Sequence, residues 1–218
     1  RVLWGDAGVI ERLPRYAASD IPPFEGLQLL FNRLAGLLSG LSDAARTTGD
    51  PGPRAYLVNQ TMKALMALGD WRLLGCGAYD SSYRRRLERF DWLADGLRVP
   101  PGQRDAITRA YAFKLRPDEV SQPDIVAAAT EATGWLVRAV IDGVGPITRR
   151  RASTAVEAAA AYYDATVLDA AWVSADNAFA DRTLCGGPTR VVSPPEGSVR
   201  QHVYASLLLI AASLRGDR

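Results

Sequence analysis

Apolar residues recur at helical spacing through most of this 218-residue chain. The clearest series runs from Phe24 to Leu41, where leucine and phenylalanine return every three or four positions and so share one helix face. Proline and glycine interrupt the pattern and separate its segments. Seven long helices are predicted, at about 22–41, 54–74, 81–93, 100–115, 123–140, 154–179 and 198–214. The fold class predicted is all-α, a helical bundle of about seven helices.

The first residues depart from this pattern. Arg1 to Gly5 is a short β-prone run, and a short helix closed by Pro14 is predicted after it. A lone strand is not stable, and the chain does not begin with Met. We therefore expect 1–14 to be a linker, or the last strand of an N-terminal domain outside this chain. The whole of 1–218 is interpreted as a single helical domain, with a possible sub-boundary near 116–123.

Composition narrows the class of protein. Apolar residues make up 48% and charged residues 23%, which is ordinary for a globular domain that can bury its own core. Two distant cysteines exclude a disulfide framework, so a cytoplasmic location is expected. Because no run of about 18 apolar residues occurs, no membrane span is predicted. The net charge of +2 gives no reason to expect a nucleic-acid partner.

The common signatures of catalytic chemistry are missing from the sequence. It contains no glycine-rich phosphate loop and no Cys, His and carboxylate cluster with metal-ligand spacing. Its one histidine, His202, lies in a strongly apolar helical segment without a nucleophile beside it, so a structural role is favoured. No catalytic residue and no metal ligand are assigned to this chain.

Polar side chains among the apolar ones of the first three helices form a candidate binding site. On the second helix Asn59 and Lys63 are one turn apart, on a stripe that continues to Asp70. Lysine, arginine and amides at a helix N-terminus all suit an anion, and a tyrosine could stack on a base. The candidate residues are Glu25, Asn32, Arg33, Asn59, Lys63, Tyr79, Ser82, Tyr83 and Arg86.

The same residues have a structural interpretation. Asn32 and Asn59 could cap or bridge helices, and Lys63 could pair with Asp70 or Glu25. Each of these contacts would satisfy a polar group inside the fold and leave nothing for a ligand. The sequence leaves both interpretations open.

The run of arginines in 84–89 also has two interpretations. It could be a solvated helix face in which Glu88 pairs with a neighbouring arginine, or a patch that contacts the phosphates of a nucleic acid. Asp91 and Asp95 dilute its positive charge. Nucleic acid is therefore not the favoured ligand.

Several short motifs resemble a known family. Val-Leu-Trp-Gly-Asp6, Ile-Pro-Pro-Phe-Glu25 and Leu-Leu-Phe-Asn-Arg33 are similar to the region that follows the catalytic domain in bacterial and archaeal nucleotidyltransferase-like proteins of the polymerase beta type. Lys63-Ala-Leu and Tyr-Asp-Ser-Ser-Tyr-Arg-Arg-Arg86 add to the likeness. The resemblance covers about the first hundred residues, and nothing specific extends it beyond Pro100.

The resemblance implies a division of labour. The family's catalytic domain carries a Gly-Ser pair and closely spaced aspartates that hold Mg²⁺, and this sequence has no such element. Mg²⁺ is therefore expected only in an N-terminal catalytic domain of the same polypeptide, and this chain would position a nucleoside triphosphate and an unspecified acceptor. The resemblance assigns nucleotide or anion binding to Arg33, Lys63, Ser82 and Arg86, and substrate positioning to Glu25, Asn32, Asn59, Tyr79 and Tyr83.

Two other functions remain open. The chain could be a non-catalytic binding module, antitoxin-like or regulatory, in which the polar set is structural or meets a protein partner. It could also be a small helical enzyme complete in itself, which is the least favoured hypothesis because no nucleophile and base are paired in the sequence.

Overall fold

A computed structural model describes residues 17–18, 21–47, 51–117, 124–167 and 199–214. Within these ranges the chain forms seven α-helices and no strand, which confirms the predicted all-α class. The predicted N-terminal strand and short helix lie outside the described residues, as does the predicted sixth helix beyond its residue 167. The helices are α1 Pro23–Arg46, α2 Pro51–Gly75, α3 Tyr83–Leu93, α4 Pro101–Leu115, α5 Ile125–Thr148, α6 Ala155–Val167 and α7 Val199–Leu214.

Helix α1 forms as its apolar spacing predicts. Pro23 stands in its first turn, where the fixed φ of proline is helical and its missing N–H costs nothing. The helix ends at Arg46, and Thr47 donates its backbone N–H to the carbonyl of Asp43. The apolar face is fully buried, at Leu27, Leu30, Phe31, Leu34 and Leu37.

Helix α2 is the centre of the bundle. Its buried residues lie all around the helix, as expected for a helix surrounded by others. It contacts α1, α3, α4 and α5. Even polar Thr61 is buried there, and its hydroxyl donates to the carbonyl of Leu57 one turn earlier. The helix also begins three residues earlier than predicted, because Pro51 and Pro53 both fit its first turn.

Helix α5 is longer than predicted. The sequence suggested an end near Val140 and a loop over 145–151, but the helix continues to Thr148 and contains Pro146. A proline removes one helical hydrogen bond, while burial of Val144 in the core favours the extra turns. The helix ends where Arg149 takes the left-handed conformation, with φ of 57°.

One continuous core joins the helices on both sides of 116–123. Helices α1, α2 and α5 pack against each other, and α6 and α7 cover a second face of α1 and α5. An aromatic cluster lies there, in which Phe31 stacks on Tyr204 at 4.9 Å between ring centroids and lies 4.8 Å from Tyr162. Helices α3 and α4 pack on the remaining side of α2, and this side carries the candidate site.

Candidate functional site

A cleft opens between α1, α2 and α4, with the first residue of α3 at its edge. Its volume is about 120 Å³. Four of the nine predicted site residues are found together in its wall, and they come from three different helices. The lining residues are Leu29, Arg33, Asn59, Met62, Lys63, Met66, Ala67, Asp70, Tyr83, Phe113 and Lys114.

The register of α2 places most of the polar lining. Asn59, Lys63 and Asp70 follow each other at spacings of four and seven residues, so they form one stripe along the helix. Arg33 reaches the cleft from α1, and Lys114 reaches it from the last turn of α4. The stripe was predicted from the sequence, whereas the approach of α4 was not.

Three cations meet in a cleft whose lining carboxylate, Asp70, is already paired with Arg86. Arg33, Lys63 and Lys114 make no ion pair with any residue in the described part of the chain. The ammonium of Lys114 lies 5.5 Å from the ring centroid of Tyr83, a cation–π contact that leaves its charge uncompensated. The cleft is therefore a place where a negative charge would be stabilised.

The carboxylate in the cleft wall is already engaged. Asp70 accepts a hydrogen bond of 2.6 Å from Arg86 Nη1 at one oxygen and another of 2.6 Å from the Tyr111 hydroxyl at the other. Burial raises the pKa of Asp70, although the bond from Tyr111 and the charge of Arg86 act in the opposite direction. Burial and the neighbouring Asp70 charge also raise the pKa of Tyr111, so its hydroxyl stays a donor.

Arg86 lies behind the cleft and is not part of its lining. The residue is only 4% exposed, and its charge is paired with Asp70. Its guanidinium lies 3.9 Å from the ring centroid of Tyr83 and 5.1 Å from that of Tyr79, so it fixes both rings. The structure thus gives Arg86 a supporting position, and the ligand contact predicted for it stays a prediction.

The backbone N–H of Ser82 is engaged within the protein. Helix α3 begins at Tyr83, two residues later than predicted, and the Ser82 N–H donates to Asp80 Oδ1 at 2.9 Å. This bond, together with Arg89 and Arg85, lowers the pKa of Asp80. Asp80 thus engages the N–H of Ser82, the Ser82 side chain makes no capping hydrogen bond to α3 among the described residues, and the anion contact predicted for Ser82 stays a prediction.

The other three predicted residues lie outside the cleft. Asn32 accepts a 2.5 Å hydrogen bond from the Tyr204 hydroxyl, so it bridges α1 and α7 as the structural interpretation proposed. The carbonyl of Tyr79 accepts a hydrogen bond of 3.0 Å from Arg89. Glu25 is exposed in the first turn of α1. Their predicted roles toward a ligand remain predictions without support from their positions.

Sequence reasoning missed three residues of α4. Lys114 and Phe113 line the cleft, and the hydroxyl of Tyr111 donates a hydrogen bond to Asp70. The one available signal was the spacing of Tyr111 and Lys114, which are three apart and share a helix face. Nothing in the sequence indicated that this face meets α2, because that depends on how the two helices pack.

A second concave region, the arginine groove, lies where α5 turns into α6. It is larger, with a volume of about 760 Å³. Arg150 pairs with Asp164, Asp142 pairs with Arg138, and Glu157 accepts from the Ser153 hydroxyl at 2.7 Å, whereas Arg149 and Arg151 make no ion pair with any residue that the structure describes. The groove is lined by Ile141, Asp142, Gly145, Pro146, Arg149, Arg150, Arg151, Ala152, Ser153 and Glu157.

Metal-ligating side chains are dispersed. Among the described residues no three of His, Cys, Asp or Glu lie close enough together to hold a metal ion. The described residues therefore contain no set that fits the Mg²⁺ site of the family, a site that the resemblance places in a separate catalytic domain.

None of the helices that the structure describes combines the length and the apolar character needed to cross a bilayer.

Comparison with known proteins adds no relative. No protein-family model matches the chain, and neither the curated proteins nor the solved structures contain a match. A function can therefore be inferred only from the geometry of the cleft and from the short motifs in the first hundred residues.

Proposed function

We propose that this chain is the helical domain of a nucleotidyltransferase and that its cleft holds the phosphate end of a nucleoside triphosphate. The observation that carries the proposal is the convergence of Arg33, Lys63 and Lys114 on one cleft, in which the carboxylate of Asp70 is held by Arg86 and is also attracted to Arg33. Phosphate groups are the ligands that such a set of cations binds best, because lysine supplies a point charge and arginine a planar fork. The acceptor stays unspecified.

The volume of the cleft limits which part of a nucleotide can bind in it. Its 120 Å³ corresponds to about four water molecules in the liquid, while pockets for whole small molecules measure about 300 Å³ or more. The cleft therefore suits a phosphate-sized group. Asn59 and Tyr83 at its edge are placed to hydrogen-bond such a group or the adjoining part of the ligand.

The buried pair formed by Asp70 in the cleft wall and Arg86 behind it supports this role. The two charges offset each other, so the net charge that a ligand meets is set by Arg33, Lys63 and Lys114. In a transfer reaction negative charge develops on the departing phosphate groups, and cations fixed in advance stabilise it. The bond-making chemistry and its Mg²⁺ would belong to the catalytic domain.

Nucleotide binding by full-length protein tests the proposal. Lys63→Ala and Arg33→Ala should each weaken ATP binding about tenfold or more, since a hydrogen bond to a charged group contributes about 1.5–3 kcal/mol. Arg151→Ala, which removes an exposed arginine of the arginine groove, is the matched control and should bind as the wild type does. Unchanged ATP affinity and unchanged turnover in both cleft variants would exclude the assigned roles.

A non-catalytic interaction module is the second candidate. The observation that favours it is Trp92 on α3, which is 81% exposed. Tryptophan is enriched at the centres of protein interfaces. Under this function the full-length protein binds no nucleotide at millimolar concentration, whereas the first function requires binding that depends on Lys63.

A further inference from the structure

A second hollow adjoins the cleft and shares two of its lining residues. Its volume is about 330 Å³, and Asn59 and Phe113 stand in the walls of both. We call it the aromatic hollow. Its lining residues are Pro51, Arg54, Ala55, Val58, Asn59 and Phe113.

The two hollows follow one another along α2. Ala55, Asn59 and Lys63 are successive members of one helical stripe, four residues apart. With a rise of 1.5 Å per residue, Ala55 and Lys63 are about 12 Å apart along the axis, with Asn59 halfway between them. A single elongated ligand can therefore occupy both hollows and pass Asn59.

The chemistry of the aromatic hollow differs from that of the cleft. Most of its lining is apolar, and Arg54 is its one charged residue within the described part of the chain. Phe113 is half-buried, so its ring is held by the fold while part of it faces the hollow. Phenylalanine and the planar guanidinium of arginine both stack on flat rings.

The tyrosines predicted to stack on a base are less suited to it. The guanidinium of Arg86 covers the ring of Tyr83 at 3.9 Å, and Lys114 also lies against that ring. Tyr79 is likewise approached by Arg86 and lies outside both hollows. A flat ring would thus find a free stacking surface at Phe113 and not at these tyrosines.

We propose that the cleft and the aromatic hollow form one site for a phosphorylated ligand that carries a flat ring, such as a nucleobase. The phosphates lie among Arg33, Lys63 and Lys114, the ring lies against Phe113, and Asn59 at the junction offers its amide to the part between them. The proposal rests on the proposed function and adds the ring as a second recognised group.

Two probes of full-length protein test it: ATP and inorganic tripolyphosphate, which has the phosphates without the ring. Wild-type protein should bind ATP about tenfold more tightly than tripolyphosphate, a typical gain from stacking one base. Ala55→Trp fills the aromatic hollow and should reduce the affinity for ATP to that for tripolyphosphate. Lys63→Ala should weaken both probes by the same factor.

Two further variants keep the result interpretable. Ala160→Trp, an exposed alanine on α6, is the control and should leave both affinities unchanged. If Ala55→Trp loses helix content by circular dichroism, Arg54→Ala replaces it, because Arg54 is exposed and its loss should lower the preference for ATP without disturbing the fold.

The outcomes separate the two proposals. The ring subsite alone is overturned if the wild type binds both probes with equal affinity. It is also overturned if the Ala55→Trp protein, or the Arg54→Ala protein in its place, still prefers ATP. Absence of binding by either probe, or binding that Lys63→Ala does not weaken, overturns the proposed function as well.

Discussion

Basic residues line both the cleft and the arginine groove, but the two sets differ in burial and in how far apart they lie in the chain. The groove has three consecutive arginines, and its carboxylates Asp142 and Glu157 are close at hand. The cleft has three cations from three points of the chain, and Asp70 beside them is bound by Arg86 and Tyr111. The arginines of the groove are exposed and come from one stretch of the chain, whereas the cations of the cleft come from three helices and two of them, Arg33 and Lys63, are half-buried.

Convergence of cations from separate helices on one partly buried cleft, and not the number of basic residues, marks the candidate anion site. The arginine run of 84–89 shows why the number alone is a poor guide. Arg86 pairs with Asp70, while Arg85 and Arg89 both reach Asp80. Arg33, Lys63 and Lys114, by contrast, stand far apart in the sequence and come together only when the helices pack.

The largest expected difference between the two regions is in stability. Asp70→Ala leaves the buried Arg86 charge unpaired, which should cost about 3–5 kcal/mol in the free energy of unfolding. Asp142→Ala in the arginine groove removes an exposed i,i+4 pair with Arg138, worth about 0.3–0.5 kcal/mol. Urea unfolding monitored by circular dichroism measures both. Similar losses in the two variants would contradict the distinction between a buried and a solvated charge.

A glycine beside the same buried pair should give a smaller effect. A Cβ on Gly69 would lie 2.7 Å from the Tyr111 hydroxyl and 2.8 Å from Ile107 Cγ2, so Gly69→Ala forces α4 outward at a cost of about 1–3 kcal/mol. Gly102→Ala meets nothing within 4 Å and should be neutral or slightly stabilising. Thermal unfolding compares the two, and a Gly69→Ala protein as stable as the wild type would argue against tight packing behind the cleft.

Anion binding should separate the regions by about a factor of ten. Lys114→Ala removes one of the three uncompensated cations of the cleft, and tripolyphosphate affinity should fall about tenfold. Arg149→Ala in the arginine groove should change the tripolyphosphate affinity by less than about twofold, since Arg149 does not line the cleft and acts on an anion there only across solvent and salt. Calorimetric titration at two salt concentrations gives both values. An equal loss from Arg149→Ala would move the anion site to the groove.

The smallest effect is a divergence of two carboxyl titrations. Burial raises the pKa of Asp70 above 3.8, whereas hydrogen bonds from Ser153 lower the pKa of Glu157 below 4.5. Asp70 therefore contributes stability that is present at low pH and lost as pH rises through its folded pKa. Glu157 contributes stability that is present above its unfolded pKa and lost as pH falls through its folded value. Side-chain carbon NMR titration of the folded protein checks both directions, and a midpoint below 3.8 for Asp70 would show the cleft to be wetter than proposed.

Much of the fold could be predicted from the sequence because helices are local. The spacing of Phe24 to Leu41 gave α1, and the proline and glycine breaks gave most helix ends. The end of α5 was predicted wrongly, since Gly145 and Pro146 are local signals for a turn and burial of Val144 is a tertiary effect. Local rules lose to packing at such positions.

The candidate site was predictable only along single helices. Asn59 and Lys63 were found because they share one face of α2, and that face does line the cleft. Asp80 accepts the N–H of Ser82, a bond between near neighbours in the chain, and the ligand contact predicted for Ser82 stays a prediction. The hydrogen bond that Asn32 accepts from Tyr204 could not be predicted, because the two residues lie 172 positions apart in the chain.

The sequence by itself determined the seven helices, their apolar faces and the polar stripe of α2, since each depends on residues within a few turns of one another. The tertiary structure alone decided which charges are free. Packing buried Arg86 against Asp70 and brought Lys114 of α4 beside Lys63 and Arg33. The physical reason is that an ion pair depends on distance in space, and residues far apart in the chain acquire that distance only when the helices pack.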